Sequence, residues 1–173
     1  MRTWGFFAAA VAVCAMAVPG AWAGAADSVP LIGGTDRARH VFSVTGLVSN
    51  TTVGAGVFCT SLEKKKDVRI AIEVFDELTG AAINDITTGF TTQGVPEILS
   101  PGETVTMELS GDGAVTFTNH DANVTATLSS GSARIVSTSS KLMCAAILLD
   151  KANALPGFAT ALPVVAKPQQ KGE

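Results

Sequence analysis

Apolar and polar residues alternate along most of this chain with a period of two. Val68, Ile70, Ile72 and Val74 fall on one face of an extended segment while Arg69, Ala71, Glu73 and Phe75 fall on the other, and Val53, Ala55, Val57 and Cys59 repeat the pattern upstream. Glu63 to Asp67 are too polar to bury and too few to form a helix, so Val53 to Asp76 reads as a β-hairpin with a solvated, charged tip. A strand over His40 to Val48, with Phe42, Val44 and Val48 on one face, precedes it across a turn at Ser49 to Thr52.

Downstream, Asp76 to Gly80 is a turn, and Ala81 to Thr92 is a Thr-rich edge strand or loop. Ser100-Pro101-Gly102-Glu103 places Pro and Gly at the two central positions of a type II turn, where a fixed φ and then a positive φ are required. Thr104 to Leu109 alternates with Val105, Met107 and Leu109 inward, and Asp112-Gly113 is a hairpin signal leading into Ala114 to Thr118. Val124, Ala126 and Leu128 line another strand, Ser129 to Ser132 reads as its turn, and Ala133 to Thr138 as the return.

Lys141 to Asp150 is apolar on both faces, as expected of a central strand or one covered by a leader or tail; its length and β-rich surroundings argue against a buried helix. A short strand near Leu162 to Ala166 comes last. Short strands at roughly ten-residue spacing predict an all-β fold, an antiparallel β-sandwich spanning 40–166.

The N-terminus follows another logic. Arg2, an apolar run from Trp4 to Val18, Pro19-Gly20 and Ala21-Trp22-Ala23 together read as a cleavable signal peptide over 1–23. The run is too short for a retained anchor, and Val13 before Cys14 does not fit a lipoprotein site. Residues 24–39 lack periodicity and read as a flexible leader, and 167–173 as a polar tail. Cleavage would remove both tryptophans from a chain without tyrosine, and leave 11 basic and 15 acidic residues. Mild acidity disfavours nucleic acid, and Lys64 to Lys66, the one cationic run, has no aromatic neighbours and reads as solvated. No membrane span is expected after cleavage.

Cys59-Thr60-Ser61-Leu62, the strand Val68 to Asp76 with its Ile72-Glu73-Val74-Phe75 core, Pro101-Gly102-x-Thr104, Gly131-Ser132-Ala133-Arg134-Ile135 and Lys141-x-x-Cys144-Ala145 form a pattern covering most of the mature chain. It resembles a group of small exported bacterial proteins, without assigned activity, built as immunoglobulin-like or fibronectin III-like sandwiches. The resemblance implies a fold and an exported, periplasmic or extracellular location, and carries over no catalytic residue. The chain departs from true immunoglobulin domains in having no core Trp after Cys59 and no tyrosine corner.

Cys59 and Cys144 are the only cysteines left after cleavage, each on an apolar strand, and an oxidising compartment would permit a disulfide joining early and late strands across the sandwich. Two buried free thiols are the alternative.

Other candidate chemistry is thin. His40 and His120 are too few for a multi-histidine copper site. Asp112, Asn119, His120, Asp121 and Asn123 could offer oxygens to Ca²⁺, but they are also the residues that turns use, and no Asp-x-Asp-x-Asp loop is present. No Gly-x-Ser-x-Gly elbow exists, and Glu73 and Glu108 are the outward, solvated members of their strands. Asn50-Thr51-Thr52 and Asn123-Val124-Thr125 match the glycosylation sequon, by chance if the chain is bacterial.

No catalytic residue, cofactor or metal is therefore assigned. The expectation is a non-enzymatic envelope or extracellular interaction or structural module, its partner an unspecified protein or glycan, with outward Phe75 as a possible surface contact. A carbohydrate-binding or hydrolytic accessory is the alternative, weakened by the missing Trp and Tyr.

Overall fold

The computed structural model describes residues 28–87, 97–109, 120–121, 127–153 and 156–167. They form strands only: β1 (Arg39–Ser49), β2 (Val53–Ser61), β3 (Val68–Phe75), β4 (Glu97–Leu99), β5 (Thr104–Leu109), β6 (His120–Asp121), β7 (Leu128–Ser137), β8 (Leu142–Asp150), β9 (Ala159–Leu162) and β10 (Val164–Ala166). Two five-stranded sheets pack face to face, one ordered β10-β1-β7-β3-β4 and the other β6-β5-β2-β8-β9. All pairings are antiparallel except the two-residue β5–β6 ladder. The all-β sandwich is as the alternation predicts, and the alternating faces meet in its core: Val57, Ile72, Val74, Met107 and Ile135 are all buried.

The strands either side of Glu63 to Asp67 do not form a hairpin. β2 pairs with β5 and β8, whereas β3 belongs to the opposite sheet with β7 and β4. The charged segment is an arch that carries the chain across the roughly 10 Å between sheets. Period-two alternation is the same for a hairpin and for an arch, because it records which face is buried and not which strand lies alongside.

The connection between β7 and β8 is a second arch beside the first. Leu62 N–H donates to the Lys141 carbonyl at 2.9 Å and Thr138 N–H to the Arg69 carbonyl at 3.0 Å. Glu63, expected in solvent, is buried between them and accepts from Ser139 Oγ at 2.7 Å and Lys141 Nζ at 3.2 Å. Ser100 to Glu103 makes a third crossing on the other flank: the Glu103 carbonyl accepts from Ser61 N–H at 2.9 Å, and Gly102, at φ +79°, takes the predicted left-handed position.

Two further expectations change. Ser129 to Ser132 is no turn but the first half of the ten-residue β7. Its Gly131 serves close approach, since a Cβ there would lie 3.0 Å from the Phe75 carbonyl oxygen and 3.1 Å from Leu128 Cδ2. The leader is structured from Ser28 onward: Ile32 is buried with Ala71, Ile86 and Val136 in a small core on the outer face of the β3–β7 sheet. Asp36 pairs with Arg69 at 2.7 Å and Gly33 N–H donates to the Ile86 carbonyl at 2.9 Å, so 28–38 and 81–87 together cover that face. Lys141 to Asp150 is the central strand expected, between β2 and β9. The Asp112-Gly113 hairpin, the strand at 114–118 and most of the proposed calcium cluster lie outside the described residues.

Ile72→Ala, which removes buried methyl groups from β3, is expected to cost about 2–5 kcal/mol. Lys65→Ala, on the exposed crest of the arch, should change stability by less than about 0.5 kcal/mol. Urea unfolding of the two variants measures the contrast.

Candidate functional site

Where polar chemistry clusters, it is occupied in holding the fold. On the outer face of β3 and β7, Glu73 stands directly opposite Arg134, and Arg134 Nε donates to Glu73 Oε2 at 2.5 Å. Arg134 is 0% exposed, its Nη2 reaches the Ser28 carbonyl at 3.4 Å, and its guanidinium lies 5.3 Å from the centre of the Phe75 ring.

Phe75 is therefore no surface contact. It points away from the inter-sheet core, as its place in the alternation requires, yet it is 1% exposed, beneath the side chains and segments that cover this face. Glu73 and Glu108, expected in water, are buried as well.

Asn84, which sequence reasoning did not single out, caps the same strand. Its Nδ2 donates to the Ile72 carbonyl at 2.8 Å and its Oδ1 accepts from Val74 N–H at 2.7 Å, so a side-chain amide continues the ladder where β4 ends. An Asn in a Thr-rich segment gives no sequence signal for this role.

Cys59 and Cys144 form the disulfide, with Cα atoms 4.2 Å apart. They sit in register on neighbouring strands β2 and β8, so the bond staples two strands of one sheet and does not cross between sheets as immunoglobulin disulfides do.

Four ionisable groups, His40, Glu63, Asp76 and Asp150, share one pH response. Burial, then the positive charge of Lys167 and Arg134, holds His40 below its ordinary 6.5, against the opposing contact of Nε2 with the Phe42 carbonyl at 3.0 Å. Glu63 is lowered chiefly by the Ser139 hydroxyl, Asp76 by Thr79, and Asp150 by Asn153 and the Gly157 and Ala152 amides. In each case the unfolded chain binds the proton more readily than the folded one, so stability is present above the unfolded pKa and lost as pH falls. We expect urea midpoints to fall in two steps, one from about pH 6.5 downward through His40 and one below about pH 4.5 through the carboxylates. His40→Gln should remove only the first step. Asp150 links the second to β9, because its carboxylate ties the β8–β9 connection through Asn153 Nδ2 at 2.8 Å and Gly157 N–H at 3.1 Å.

One lateral side of the sandwich exposes apolar side chains, and Leu31, Leu62, Leu78 and Ile98 are exposed elsewhere. β9 and β10 are the edge strands on that lateral side, separated only by Pro163, where the chain steps from one sheet to the other. Met143 is 61% exposed on the outer face of β8, Val165 is 59% exposed, and Phe158 at the entrance to β9 is 46% exposed. Ala145, Ala159 and Ala161 are exposed beside them, and none of these positions carries a charge.

Among the described residues the β9 edge is open. Asp150 N–H donates to the Phe158 carbonyl at 3.1 Å, and the ladder continues with Leu149 opposite Ala159 and Leu148 opposite Thr160. Alternation then turns the backbone groups of Phe158, Thr160 and Leu162 toward β8 and those of Ala159 and Ala161 away from it. Among the described residues nothing pairs with these outward groups.

Among the described residues no three His, Cys, Asp or Glu side chains converge as a metal site, and no helix is long and apolar enough to cross a membrane. No family model, curated protein or solved structure matches the chain.

Proposed function

We propose that this is an exported, non-enzymatic β-sandwich that works through its surface, as an envelope or extracellular interaction or structural module, and that the β8–β9 side is its contact surface. The observation that carries the reading is the coincidence of exposed, uncharged Met143 and Ala145 on the outer face of β8, and Phe158 at the entrance to β9, with a strand edge that is unpaired among the described residues. Strand addition to an unpaired edge is a standard mode of recognition, and exposed apolar side chains beside the edge supply contact area. Glu73 and Glu63, two buried carboxylates, are engaged in structural contacts with Arg134, Ser139 and Lys141, which favours binding over catalysis. The disulfide and the Ala21-x-Ala23 site fit passage to an oxidising compartment.

Pull-down from the protein's own envelope extract, comparing wild type with Met143→Glu, tests the contact surface. A stoichiometric partner lost on substitution supports it, and turnover on a panel of esters, glycans and peptides would overturn it. Export is tested by N-terminal sequencing: the mature chain should begin at Gly24 and, lacking Trp4 and Trp22, absorb weakly at 280 nm.

A further inference from the structure

We infer that β9 is a self-pairing edge, through which two copies of the chain join their β8–β9 sheets about a two-fold axis at Thr160. The inference rests on the reading of this side as the contact surface and names its occupant as a second copy.

The register follows from the backbone. Ala159 and Ala161 present both N–H and C=O outward, and the positions flanking them cannot do the same: Gly157 N–H is taken by Asp150 Oδ2 at 3.1 Å, and Pro163 has no N–H. An antiparallel pairing centred on Ala159 would require the Gly157 amide, and one centred on Ala161 would require an amide from Pro163. Only the register centred on Thr160 satisfies all four outward groups of each strand, with Ala159 of one copy exchanging both bonds with Ala161 of the other.

The side chains are self-complementary in that register. Thr160 faces Thr160 on the axis, and Phe158 faces Leu162 of the second copy, twice, in the closely spaced pairs of the ladder. Leu162 lies opposite the buried Ala146, on the core side of the sheet, so Phe158 would find there the apolar cover it lacks in the single chain. No charged residue enters the pairing, so a second copy meets no like-charge repulsion along the strand. Such an interface is isologous and closes on itself.

Sedimentation velocity on the mature, disulfide-intact protein, together with two variants, tests this. Ala161→Pro deletes an outward N–H without touching the β8 ladder, with far-UV circular dichroism reporting that the fold persists. Thr160→Cys places two thiols across the axis at a Cα separation of about 4.5 Å, within disulfide reach. A concentration-dependent dimer that Ala161→Pro abolishes, with Thr160→Cys cross-linking at least tenfold faster than Lys65→Cys, is the expected result. A wild type that stays monomeric to about 1 mM, or a dimer indifferent to Ala161→Pro with no preferential Thr160→Cys cross-link, overturns it. A monomer that still loses an envelope partner on Met143→Glu would overturn self-pairing alone and leave the contact-surface reading intact.

Discussion

Replacing Cys59 and Cys144 together by Ala should lower the unfolding free energy by about 4–5 kcal/mol. The bond joins residues 85 positions apart, so it removes much of the conformational freedom of the unfolded chain, and the chain-entropy relation puts loops of this length in that range. Its place adds a structural consequence. β2 and β8 are already paired from Val53 opposite Asp150 to Ser61 opposite Leu142, so the staple reinforces an existing ladder, and the folded architecture does not depend on it for contact between the two sheets. The variant should therefore fold to the same sandwich, with an unchanged far-UV spectrum, and differ in its urea midpoint. Reduction of the wild type by a thiol in denaturant should reproduce the shift. A double variant as stable as the wild type would show that the unfolded chain gains nothing from losing the cross-link.

Arg134→Ala is expected to cost about 3–5 kcal/mol, because it leaves the Glu73 carboxylate buried without its cross-strand partner. The loss should also show outside the pair. Arg134 bonds the Ser28 carbonyl and covers the Phe75 ring, so its removal loosens the segment that carries Ile32 onto the sheet. Limited proteolysis should then cleave within 28–38 in the variant before it cleaves the wild type. Glu73→Leu combined with Arg134→Met is expected to recover most of the stability, since a buried ion pair replaced by apolar groups of similar volume is often neutral or better. Urea unfolding of the single and double variants separates the cost of an orphaned charge from the worth of the pair.

Turn chemistry and strand faces were legible because both are local. Pro101-Gly102 dictates its turn through the φ angles those two residues prefer, and Val57, Ile72 and Met107 point inward because successive side chains on a strand point to opposite faces whatever lies alongside. The same locality misled at Gly131, where a residue common in turns lies within a strand because another backbone passes too close for a Cβ.

The sequence by itself therefore determined an all-β chain, its inward faces, its Pro101-Gly102 turn and the pair of cysteines that could bond. Only the tertiary structure decided neighbours: that β2 and β3 sit in opposite sheets, that the disulfide lies within one sheet, and that among the described residues the β9 edge is unpaired. It also decided the fate of the outward positions. Glu73, Phe75 and Arg134 are outward in the alternation yet buried, because chain as far as 106 residues away in sequence folds over them. Periodicity states which face of a strand a residue occupies. Whether that face meets water depends on what distant segments cover it, and no local pattern records that.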